Sequence, residues 1–111
     1  LFALYGEYYM QLLVLNGMCD VLSSDEKHIF VDNKNSKYIR VNKSPELDYV
    51  ISILRTGVFT ENDVLEKIKQ ENLNWTTAKN ILEFLVSKGI IELRETVLKL
   101  KKNNILQGKS V

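Results

Sequence analysis

The side chains able to do chemistry in this chain are few and scattered. There is one histidine, His28, and one cysteine, Cys19. A zinc site draws three or four protein ligands, mostly Cys and His, so no such set can be assembled here. His28 falls in the β-rich run KHIFVD (27–32) and is expected to play a plain structural role. Cys19 is expected to behave as a small buried hydrophobe, as free cysteines mostly do. Glu61, Asp63, Glu66 and Glu71 crowd one helical stretch, where they read as a solvated face and its end rather than an acid–base pair. The five glycines are scattered at turns, so no loop is built to cradle phosphate. The expectation is a non-catalytic chain with no metal and no cofactor.

Composition narrows the partner. The chain has 111 residues, enough for one domain with a modest core. A net charge of +1 supplies no global field for nucleic acid, but the charge is uneven. Residues 1–74 carry 8 basic and 11 acidic side chains, whereas residues 75–111 carry 7 basic and 3 acidic. A single cysteine rules out an intrachain disulfide and fits a reducing, cytoplasmic setting. The most apolar stretch, LFALYGEYYMQLLVLNGM, is interrupted by Gly6, Glu7 and Gln11 and lacks the basic start of a signal peptide. It also falls short of the ~20 apolar residues a membrane helix needs, and no membrane partner is expected.

The elements that must position any site can be read from punctuation and periodicity. Residues 1–22 are an apolar segment, either a strand or an appended piece; within it QLLVL (11–15) reads as a buried strand ended by Asn16-Gly17, and CDVL (19–22) as a second short strand. Residues 27–42 read as a hairpin turning at NKNS, with Ile39 and Val41 toward the core and Tyr38 and Arg40 away from it. Ser44 caps a helix with Pro45 at its first position. Its stripe is Leu47, Val50, Ile51 and Leu54, and Gly57 is expected to end it in a left-handed conformation. Thr60-Glu61-Asn62-Asp63 is a capping box for a second helix, with Phe59 and Val64 as a hydrophobic staple. A third helix, capped by Asn74 or Thr76, carries Ala78, Ile81, Leu82, Leu85 and Val86 and stops at Gly89. IIELRETVLKLKK (90–102) reads as a strand or as a short hairpin turning near Glu95-Thr96. Residues 23–100 thus form the domain, and residues 101–111 a tail or linker. The fold class is α+β: a winged helix-turn-helix, with an N-terminal antiparallel hairpin or three-stranded sheet, three helices and a short C-terminal strand.

Two binding functions fit that order. One is a DNA-binding regulator, with Thr76, Thr77, Lys79 and Asn80 reaching phosphates or base edges and Lys99, Lys101 and Lys102 on a wing. The third helix has no arginine, however, and carries Glu83 near its middle, a poor endowment for phosphate neutralisation. The other is capture of an extended peptide along an open edge at Lys37–Asn42, with the third helix as the second wall and Phe84 as an apolar anchor. A proline at Ile39 is expected to remove an edge N–H or to disrupt the strand.

The span 27–93 resembles the PqqD-like peptide chaperones, the recognition elements of ribosomal peptide biosynthesis. The features that carry the resemblance are the hairpin ending in YIRVN, a first helix ending at Gly57, the FTENDVLEKI second helix, a polar turn, and a third helix closing in LVSKGII. The resemblance implies a domain that binds the leader of a precursor peptide as an added strand and presents it to a peptide-modifying enzyme. The chain would then be an accessory subunit or a domain of such an enzyme. It further implies contacts from Tyr38, Ile39, Arg40 and Val41 on the strand and from Thr77, Asn80, Ile81 and Phe84 on the helix. Residues 1–22 are longer and more apolar than the usual lead-in to such domains. Nucleic acid is a partner only under the regulator reading.

Overall fold

The computed structural model describes the backbone of residues 7–99 and the side chains of residues 9–96. The expectations placed on residues 1–6 and on the tail 101–111 lie outside that range. The chain is α+β, in the order β1 (Glu7–Leu15), β2 (Cys19–Ser23), β3 (Lys27–Asp32), β4 (Lys37–Asn42), α1 (Pro45–Thr56), α2 (Glu61–Gln70), α3 (Trp75–Ser87) and β5 (Ile91–Lys99).

Two sheets flank the helices. β2, β3 and β4 form an antiparallel meander in that spatial order. β1 pairs with β5 as a separate antiparallel ribbon in continuous register from Glu7↔Lys99 to Leu15↔Ile91. Residues 7–15 are therefore an integral strand. That ribbon corrects one reading of residues 90–102: there is no hairpin turn at Glu95-Thr96, because both residues pair across the ribbon, with Gln11 and Met10. β1 also touches the helical layer, where the Leu13 N–H donates to the Phe59 carbonyl at 2.7 Å. The Asn16-Gly17 corner does not close a hairpin, because it hands the chain from one sheet to the other. Asn16 Oδ1 accepts from the Met18 N–H, and the Asn16 side-chain amide donates to the Gly89 carbonyl.

The helix boundaries follow local chemistry. Ser44 accepts from the Leu47 N–H, Thr60 from the Asp63 N–H and Asn74 from the Thr77 N–H, so each helix has a side-chain N-cap. At the end of α3 the Gly89 N–H donates to the Val86 carbonyl and the Ile90 N–H to the Leu85 carbonyl, which is a Schellman closure with Gly89 at φ +75°. Gly57 behaves differently from expectation. Its φ of 167° is extended backbone, so α1 ends by running straight out rather than by a left-handed turn.

The core lies where the three helices meet both sheets. Val50, Val64, Ile68 and Ala78 are wholly buried at the helix junctions, Phe30 enters from β3, and Leu13, Ile90 and Ile91 from the ribbon. All four residues of the expected α1 stripe are buried, and Ile53 joins them. The contrast between the two glycines is measurable. Gly89→Ala places a Cβ in the left-handed region and is expected to cost about 1–2 kcal/mol. Gly57→Ala meets only ordinary contact with the Phe59 ring at 3.7 Å and is expected to be neutral or slightly stabilising in urea denaturation.

Candidate functional site: an open strand edge beside α3

β4 is the last strand of its sheet, and no strand among the described residues pairs with its outer edge. The orientation of its backbone groups follows from one hydrogen bond. The Lys43 N–H donates to the Glu26 carbonyl at 2.9 Å, and antiparallel bonding alternates along a strand. Val41, Ile39 and Lys37 therefore bond to β3, while Tyr38, Arg40 and Asn42 turn their N–H and C=O groups to the open edge. This corrects the expectation for proline at Ile39: that N–H belongs to the internal ladder, and the edge donors are the neighbouring residues.

Side chains divide by the same parity. Tyr38 and Arg40 lie on the outer face, where Tyr38 is 64% exposed and the Arg40 guanidinium sits 5.9 Å from its ring centre. Ile39 and Val41 face the helices and are half-buried against the core. The cross-strand rows on this inner face are Ser23–His28–Val41, Val21–Phe30–Ile39 and Cys19–Asp32–Lys37.

α3 lies alongside this edge. Its start is tied to α1 by the Asn74 N–H donating to Glu46 Oε2 at 3.1 Å. With Ala78, Leu82 and Leu85 buried, the flank carrying Thr77, Asn80, Ile81 and Phe84 is left toward β4. Two cavities follow one another along the groove. The first, about 320 Å³, lies between Val41 and Leu47 on one side and Thr77, Asn80, Ile81, Phe84 and Leu85 on the other. The second, about 410 Å³, has Lys37, Tyr38 and Ile39 on one side and Ser87, Lys88 and Ile90 on the other, with Cys19, Phe30, Asp32 and Asn35 at its base and end. α3 thus runs antiparallel to β4, its middle opposite Val41 and its end opposite Lys37.

Of the residues expected on the site, Val41, Thr77, Asn80, Ile81 and Phe84 line the first cavity, and Tyr38 and Ile39 the second. Phe84 is 38% exposed, with the Lys88 ammonium 5.8 Å from its ring centre. Arg40 lines neither cavity. Sequence reasoning missed the second cavity and its lysines. The parity of Lys37 with Ile39 and Val41 was a readable signal, but its facing of Lys88 depends on where α3 ends in space.

Cys19 and His28 come out differently from each other. Cys19 is half-buried at the base of the second cavity, where burial, followed by the carboxylates of Asp32 and Asp20, pushes its thiol up from the ordinary range and away from thiolate chemistry. His28, 7% exposed, is the buried polar side chain among the described residues. Its Nδ1 lies 2.7 Å from Ser23 Oγ, and its Nε2 contacts Asp48 Oδ1. The tautomer protonated on Nε2 satisfies both: the hydroxyl donates to Nδ1 and the ring donates to the carboxylate. Serine, histidine and aspartate in a row is the order of an activated nucleophile, and here the row also clasps β3 to α1. His28 stands across from Val41 and Asp48 follows Leu47, so the clasp fixes two residues of the first cavity.

Asp32 at the β3–β4 turn is held by the Asn35 side chain and by the Asn35 and Lys34 backbone N–H groups. These bonds, the Asn35 side chain first, lower its carboxyl below the usual range. A group depressed in the folded state contributes stability that is fully present above its unfolded pKa and is lost as pH falls through the folded value. The Asp32 carboxyl ¹³C resonance is therefore expected to titrate below that of an aspartate in a free peptide. Asp32→Asn should remove the corresponding acid-side slope in stability.

Comparison with protein-family models, with curated proteins and with solved structures found no match for this chain. Among the described residues no helix is long and apolar enough to cross a membrane, and no cluster of His, Cys, Asp and Glu could hold a metal ion.

Proposed function

We propose that this chain is a non-catalytic peptide-binding domain of winged helix-turn-helix type. It captures the leader of a ribosomally made precursor peptide by strand addition and presents that peptide to a modifying enzyme. The observation that carries this reading is the unpaired outer edge of β4 running beside a groove walled by α3. An extended guest would take the free N–H and C=O groups of Tyr38, Arg40 and Asn42. Its alternate side chains would enter the two cavities. The resemblance to the PqqD-like peptide chaperones supports the same assignment of roles: main-chain bonding by β4, and selection of side chains by Val41, Ile81 and Phe84.

The charge distribution disfavours the DNA-binding reading. The full chain carries 15 basic and 14 acidic side chains, so it supplies no strong positive field for nucleic acid. The cleft between α3 and the β1–β5 ribbon, where a duplex would meet helix and wing together, is lined by Glu61 and Glu83 beside Leu13, Leu82 and Leu93. On α3, Lys88 leans over Phe84, which leaves Lys79 as the other cation for phosphate.

The test is a proline scan of β4 with a labelled leader peptide. Binding of about micromolar strength, about −8 kcal/mol, is expected for the unaltered chain. Arg40→Pro removes a donor from the open edge, where proline is tolerated. It is expected to keep the fold and to weaken binding by about tenfold or more, while Arg40→Ala changes it little. Ile39→Pro breaks the internal ladder and is expected to lower stability in urea denaturation, unlike Arg40→Pro. Equal binding by Arg40→Pro and the parent would rule out strand addition. Tight duplex-DNA binding with a steep salt dependence, and none to peptide, would establish the regulator instead.

A further inference from the structure

The second cavity differs in kind from the first, and the difference names a side chain. The first is walled mainly by Val41, Leu47, Ile81 and Phe84 and offers a dry seat to a large apolar residue. The second is lined by two lysines, Lys37 on β4 and Lys88 at the end of α3. Neither lysine forms an ion pair among the described residues. The nearby carboxylate that could neutralise them, Asp32, is the cross-strand partner of Lys37. It is instead turned into its own loop, accepting from the Lys34 and Asn35 N–H groups and the Asn35 amide. Asp32 keeps its charge in the same cavity, where the two lysines outnumber it.

Resting on the strand-addition reading, we infer that the guest carries a carboxylate side chain seated between Lys37 and Lys88, next to an apolar residue seated against Phe84. The spacing follows from the pleat. Val41 and Ile39 mark the two cavities and are two residues apart on one face, about 7 Å along the strand. Addition antiparallel to β4 continues the pattern of its sheet. A guest in that direction passes Val41 first and Lys37 last, so its inward residues read apolar, any residue, then Asp or Glu. The acidic residue meets two charges from different elements, and so reports on the register of the guest as well as on its composition. Lys88, leaning over Phe84, joins the two cavities and makes the apolar and acidic choices interdependent.

The experiment is display selection of a random dodecapeptide library on the immobilised chain, on Lys37→Glu/Lys88→Glu and on Arg40→Pro. Lys37→Gln/Lys88→Gln is a milder companion, and circular dichroism is taken on each variant. The expected result is enrichment by the parent chain of an apolar–any–acidic triplet, and its replacement by an apolar–any–basic triplet on the charge-reversed variant. A synthetic consensus peptide should then lose about three- to tenfold in affinity on Glu→Gln. That loss should vanish on the Gln/Gln variant. Enriched peptides with no acidic preference, or with the same preference on both charge variants, would overturn the carboxylate seat while leaving the groove in place. The reverse order, acidic–any–apolar, would overturn the antiparallel assignment. Failure of the parent chain to enrich any peptide beyond Arg40→Pro would overturn the groove reading and this inference with it.

Discussion

The pairing of β1 with β5 is the constraint on which the remaining arrangement depends. A strand has two edges. β1 spends one on β5 along its whole length and anchors the other at Leu13 through the Phe59 carbonyl. It has nothing left for the meander. The chain then turns at Asn16 into a second sheet that grows in one direction, β2 to β3 to β4, and stops when Ser44 and Pro45 start α1. Among the described residues, β4 ends that sheet.

Defined hydrogen bonds hold the elements beside that edge. α3 is closed at both ends by defined hydrogen bonds, from Asn74 at its start and through Gly89 at its finish, and Glu46 ties it to α1. The His28 clasp joins β3 to the first turn of α1 on the other side of the groove. A site preorganised in this way spares a guest much of the ordering cost of binding. The open edge is at the same time guarded against promiscuous pairing. Lys37, Arg40 and Lys43 line it with positive charge, a common way for proteins to keep exposed edges from joining one another. In our proposal the same charge that discourages a second β4 welcomes an acidic guest.

The groove sets polar groups beside apolar walls: Thr77 and Asn80 on the first cavity, and Asn35 and Ser87 with the charged Asp32, Lys37 and Lys88 on the second. The thiol at the base of the second cavity is pushed away from reactivity by burial and neighbouring carboxylates. Each of these features suits holding a chain in place. The proposed division of labour therefore puts capture here and chemistry on a partner enzyme.

Local signals determined a good deal from the sequence alone. The caps at Ser44, Thr60 and Asn74, the stop at Gly89, and the parity that turns Ile39 and Val41 inward all rest on contacts within a few residues. That Val41, Thr77, Asn80, Ile81 and Phe84 line one cavity was readable because a strand and a helix each present one face by period. Tertiary structure alone decided that β1 pairs with β5, that Ile91–Lys99 runs as one strand, and that Lys37 and Lys88 line one cavity. Those outcomes join segments far apart in the chain. Periodicity reports which face of an element is buried and is silent on which partner buries it.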